Sequence, residues 1–110
     1  MTDRELLELA AKAINKPGEW WDEGSCGGTG IRPTEMHLPN WNSFEHPEDA
    51  FALMVELNIS LSLGPLGPVA SAPGNKKYIL PPERSYITNP YEAAMRVVTM
   101  AAAEIGKAMP

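Results

Sequence analysis

Apolar and polar positions change period several times along this 110-residue chain, and each change marks an element. Near the start, Leu6, Leu7, Ala10, Ala13 and Ile14 recur at helical spacing, with Arg4, Glu8 and Lys12 on the opposite side. Thr2 and Glu5 have the spacing of a capping box, in which each side chain satisfies a free amide at the helix start. Pro17 cannot continue the helix and Gly18 tolerates the turn that ends it, so a helix is predicted over residues 3 to 14. Residues 19 to 42 lack a helical period and hold four of the nine glycines, which predicts short strands joined by a turn near Gly27 and Gly28.

Pro47 suits the first turn of a second helix, where its missing amide proton would be unpaired anyway. Glu48 and Asp49 suit the positive end of that helix's dipole, and Phe51, Met54, Val55 and Leu57 are its expected buried stripe. The period then drops to two. Asn58, Ser60 and Ser62 alternate with Ile59, Leu61 and Leu63, as in a half-buried strand. Residues 64 to 76, rich in Pro and Gly, predict a long loop or an irregular hairpin connection. Lys77 to Leu80 and Ser85 to Thr88 fit two short edge strands interrupted by Pro81 and Pro82, which donate no ladder hydrogen bond.

A third helix begins at Asn89, Pro90 and Glu92, which combine an N-cap, a first-turn proline and a capping glutamate. Tyr91, Ala94, Met95, Val98, Ala101, Ala102 and Ile105 form its apolar stripe, with Glu92, Arg96, Thr99 and Lys107 expected opposite and Glu92 four residues from Arg96 for an ion pair. The order is thus roughly α-β-β-α-β-β-α, an α+β domain with a small antiparallel sheet and three helices packed mainly on one face. Regular alternation of strand and helix is missing, which disfavours a doubly wound nucleotide fold.

Length and composition fit a single domain with a real core: 44% of residues are hydrophobic and 21% charged. The net charge of −5 works against general nucleic-acid binding, because phosphate contacts supply most of that affinity. The charge is also uneven. Residues 1 to 56 hold 11 acids and 4 bases, whereas residues 57 to 110 hold 3 acids and 5 bases, so a local basic patch is compatible with the total. One cysteine, no signal-peptide pattern and no apolar run of about 20 residues predict a soluble protein of a reducing compartment, the cytoplasm, with no membrane partner.

Candidate chemistry is sparse. Gly24 to Gly30 offers flexible backbone amides with Ser25 and Thr29 hydroxyls, but matches neither the P-loop nor the dinucleotide fingerprint; a hairpin turn and a ligand loop are both compatible with it. Cys26 with His37 or His46 is the only available thiol–imidazole pairing, and the spacings fit no zinc pattern. No catalytic residues, cofactor or metal are therefore assigned, and a Cys26-dependent enzyme is the weakest of the readings. Trp20, Trp21 and Trp41 are large apolar surfaces in a region short of other core formers, and adjacent Trp20 and Trp21 would face opposite sides of a strand. Lys76, Lys77, Tyr78, Arg84 and Tyr86 interleave bases with aromatics, as a nucleotide-stacking surface does, although lysines also guard edge strands against aggregation. If they fold beside the glycine loop, Trp21, Gly27, Gly28, Arg32, Lys76, Lys77, Tyr78 and Arg84 make a candidate anion-binding set, expected between subunits of a homo-oligomer.

The stretch Trp41 to Ser62 resembles the central segment of the NinX-like family of small phage proteins. It shares an aromatic-Asn start (Trp41-Asn42), an Asp-Ala-aromatic helix opening (Asp49-Ala50-Phe51) and a strand ending Ile59-Ser60-Leu61. Asn89-Pro90 followed by Ala93-Ala94 and an apolar helix is similar to that family's end. The resemblance implies a phage or prophage accessory protein that binds a host protein or a small anionic host signal, with host defence or regulation as its target and the host cytoplasm as its location. It supplies no catalytic residues.

Overall fold

Three helices and five strands emerge from these signals in the computed structural model, which describes residues 2–15, 18–21, 29–32, 40–65, 67–74, 76–80 and 89–109. The fold is α+β, as expected, in the order α1 (Asp3–Ala13), β1 (Glu19–Trp21), β2 (Gly30–Arg32), α2 (Pro47–Leu57), β3 (Ser60–Gly64), β4 (Gly67–Ala72), β5 (Lys76–Tyr78) and α3 (Pro90–Ala108). The capping box of α1 is formed: the Glu5 amide donates to the Thr2 hydroxyl, and the Glu5 carboxylate accepts from the Thr2 amide. Those bonds, the backbone one foremost, hold the Glu5 carboxyl below its ordinary pKa. Asn89 caps α3 by accepting from the amides of Tyr91 and Glu92, and His46 is the N-cap of α2 ahead of Pro47.

The strands divide between two sheets. Strands β1 and β2 form an antiparallel ribbon, and Ile31 also bridges to Trp41 through two backbone hydrogen bonds of 2.8 and 2.7 Å. The other sheet has the order β3-β4-β5, antiparallel throughout. Of the long loop and the irregular hairpin connection expected over residues 64 to 76, its middle strand realises the hairpin. Gly67, at φ +106, opens the return strand directly opposite Gly64, and Pro68 stands at the second position of β4, where the chain has just turned. Lys76–Tyr78 is an edge strand, close to expectation; Ser85 to Thr88 lie outside the described residues.

Two predicted faces are right only in part. On α2 the buried residues are Ala50 and Leu53, with Met54 and Leu57 partly buried against the core, while Phe51 and Val55 are 64% and 65% exposed. Residues 50 to 55 are apolar at every position, so their spacing leaves the inward direction undetermined. On α3, Val98, Ala101 and Ala102 of the expected stripe are buried, but Tyr91 is exposed, and Arg96 and Thr99, expected on the opposite side, are buried as well. The middle of α3 is enclosed by α1, α2 and the larger sheet, and Arg96 to Thr99 are buried at four successive positions. Arg96 pairs with Asp3 of α1 instead of Glu92.

Small residues set how near α1 comes to α3. Ala10, Ala11 and Ala13 are buried on one helix, and Ala101, Ala102, Ala103 and Gly106 on the other. A Cβ on Gly106 would lie 1.9 Å from the Leu9 carbonyl oxygen, so any side chain there must push backbone from backbone. Gly106→Ala is expected to cost about 3 kcal/mol, read as a lowered midpoint in thermal and urea unfolding. Gly64→Ala, where a Cβ meets nothing within 4 Å, should change stability by less than about 1 kcal/mol.

Candidate functional site

The turn at residues 40 to 45 is where most of the buried polar atoms meet. Asn42 donates from its side chain to the Thr29 carbonyl (3.0 Å) and accepts from the Phe44 amide (2.9 Å), while its own amide donates to Asp49 at 2.9 Å. The Thr99 hydroxyl donates to the Met95 carbonyl, so the Ser43 hydroxyl is the donor in their 2.6 Å contact. These bonds tie the ribbon, α2 and α3 to a single short turn.

Beside that turn lies a cleft of about 590 Å³ between the N-terminal ends of α1 and α3, with Trp20, Phe44 and Tyr91 among its lining residues. Arg96 lies at its buried end, 7% exposed. Both of its terminal nitrogens donate to the Asp3 carboxylate, at 3.1 and 3.2 Å, and its guanidinium lies 4.2 Å from the centre of the Phe44 ring. Its Nε is buried without a hydrogen-bond partner. Arg4 lies 5.5 Å from the centre of the Trp20 ring and pairs with Glu8 at 3.2 Å. With Arg96 matched by Asp3 and Arg4 by Glu8, the charges left over in the cleft are Glu45 and Glu92. Both are exposed, and neither carboxylate is held by another described residue. The cleft therefore offers two carboxylates that no described residue neutralises, beside aromatic surface, a combination that suits a cation.

The predicted anion-binding set is only partly assembled. Lys76 and Tyr78 line a second cleft of about 520 Å³, where β5 meets the C-terminal end of α3, and Lys107 joins them there with Glu104 and Ile105. Burial, and secondarily the charge of Glu104, raises the Tyr78 pKa above its ordinary value. Lys77 points from the opposite face of β5, by strand alternation, and so leaves this group. Trp21 and Arg32 belong to the two-stranded ribbon, a different sheet from the one carrying Lys76. Gly27, Gly28 and Arg84 lie outside the described residues, as do Cys26 and His37. Among the described residues no three His, Cys, Asp or Glu side chains cluster as metal ligands, and no helix is long and apolar enough to cross a membrane.

Sequence reasoning missed the larger cleft because its lining comes from five separated segments; the one available signal was Arg96, a charge amid the small and apolar residues of α3. Comparison with known proteins finds no matching family model, no matching curated protein and no matching solved structure.

The Asp3–Arg96 pair is the testable joint of this site. Asp3→Ala leaves a buried guanidinium without its carboxylate and should cost about 1–2 kcal/mol, discounted for the exposure of Asp3. A double-mutant cycle with Arg96→Met should return a coupling energy of about 1 kcal/mol; strictly additive losses would show that the pair contributes nothing.

Proposed function

We propose that this chain is a non-catalytic binding protein that acts stoichiometrically by seating basic side chains of a partner protein. The observation that carries this reading is the pair of carboxylates, Glu45 and Glu92, that no described residue neutralises, at a cleft walled by Trp20, Phe44 and Tyr91. An arginine or lysine entering there gains an ion pair and an aromatic face together, which is worth more than either alone where water is partly excluded. The excess of acids in residues 1 to 56 supports the same direction of charge complementarity. The resemblance of residues 41 to 62 to NinX-like phage proteins adds a setting: a phage accessory protein that occupies a basic surface of a host defence or regulatory protein.

Calorimetry with an arginine-rich peptide tests the proposal. Binding should be measurable at low salt and weaken steadily as salt is raised. Glu45→Lys combined with Glu92→Lys should reduce affinity at least about tenfold while the circular dichroism spectrum is kept. No heat at low salt would overturn this reading.

A second reading rests on the convergence of Lys76, Lys107 and Tyr78 in the smaller cleft. Two ammonium groups beside a phenol suit an anionic nucleotide, which they would sequester without chemistry. Titration with a panel of cyclic and linear nucleotides should give heat that is lost in Lys76→Ala and Lys107→Ala; silence across the panel would exclude it.

A further inference from the structure

The two edges of the β3-β4-β5 sheet differ in a way that points to a partner. Edge strands are templates for further pairing, and proteins commonly blunt them with lysine or proline. β5 carries Lys76 and Lys77. β3, with the sequence Ser60-Leu61-Ser62-Leu63-Gly64, carries no charge and no proline, and among the described residues only β4 pairs with it. All of its residues but Leu61 are exposed. The chain's net charge of −5 makes an uncharged strand the favourable place for two copies to meet.

The leucines sharpen the case. Leu61 lies opposite Ala70, which is fully buried, so the odd-numbered residues of β3 face the core. Along that face burial runs out: Ile59 is 4% exposed, Leu61 is partly buried against the core, and Leu63 is 73% exposed. Leu63 is thus an apolar side chain on the core side of the sheet with too little core to cover it. An antiparallel partner strand centred on Ser62 would set Leu63 of one copy against Leu61 of the other, twice over, on that same face.

We propose that the protein forms a two-fold homodimer by antiparallel pairing of β3 with β3 of a second copy, centred on Ser62, which joins the two sheets into one of six strands and closes the core over Leu63. An interface of this kind is isologous: the same residues serve both copies, and Ser62 lies on the axis, opposite itself. The proposal is independent of what either cleft binds.

Sedimentation analysis across a concentration series should show a reversible monomer–dimer equilibrium. Ser62→Lys places two ammonium groups directly opposite each other across the axis and should weaken association at least about tenfold, whereas Lys77→Ser on the other edge should leave it unchanged. In a Cys26→Ser background, Ser62→Cys should cross-link to its own copy under mild oxidation, and Lys77→Cys should not. Should Ser62→Lys lose its folded circular dichroism spectrum, Leu63→Ser supplies the same test by removing the apolar contact. A strictly monomeric wild-type chain at the highest concentration reached, or a dimer indifferent to changes at both Ser62 and Leu63, would overturn the proposal.

Discussion

Where α1 and α3 meet, alanine and glycine replace the larger apolar residues of an ordinary helical interface. Gly106 sits so close to the Leu9 carbonyl that the two backbones, more than their side chains, define the contact. Such an interface gains little from each small side chain, but dispersion between closely packed atoms accumulates along its length. It also fixes how the two helices lie against each other, because no other residue fits. The rest of the structure inherits that placement: the N-terminal turn of α1 brings Asp3 to Arg96, and Lys12 reaches the Met109 carbonyl at 3.1 Å near the other end of α3.

Arg96 shows how such a frame creates a binding surface from a structural necessity. A guanidinium enclosed by helices needs an acid, and Asp3 supplies it from the first turn of α1, with the Phe44 ring stacked alongside. Holding that trio together keeps the N-terminal ends of α1 and α3 and the turn at residues 40 to 45 in a fixed arrangement around the cleft. The charge of the arginine is thereby consumed internally, and the cleft presents the opposite sign. A cleft floored by arginine would otherwise suggest an anion site, so the partner of the arginine decides the character of the surface.

Local signals were legible in the sequence and non-local ones were not. Thr2 with Glu5, Pro47, and Asn89 with Pro90 each announce a helix start, because their effects, capping bonds or a missing amide proton, stay within four residues. The alternation of residues 58 to 63 likewise predicts β3. Faces are harder. Residues 50 to 55 are uniformly apolar, so only packing against α3 reveals that Leu53 enters the core and Phe51 does not. β4 was hidden by the prolines and glycines in and around it, which suggest a loop or an irregular hairpin until the Gly64–Gly67 turn pairs it with β3. The cleft depends on contacts between residues 93 positions apart, and no spacing rule reaches that far.

That separation also bears on how the protein is made. During synthesis α1 leaves the ribosome long before α3, and its alanine-lined face lacks its main partner until Arg96 to Gly106 have followed. The hairpins and α2 can organise in the interval, since their contacts are local, but α3, which packs along α1, arrives after them. A nascent chain stalled after β5 would therefore leave the alanine-lined face of α1 without α3, the condition in which a holdase chaperone has something to grip.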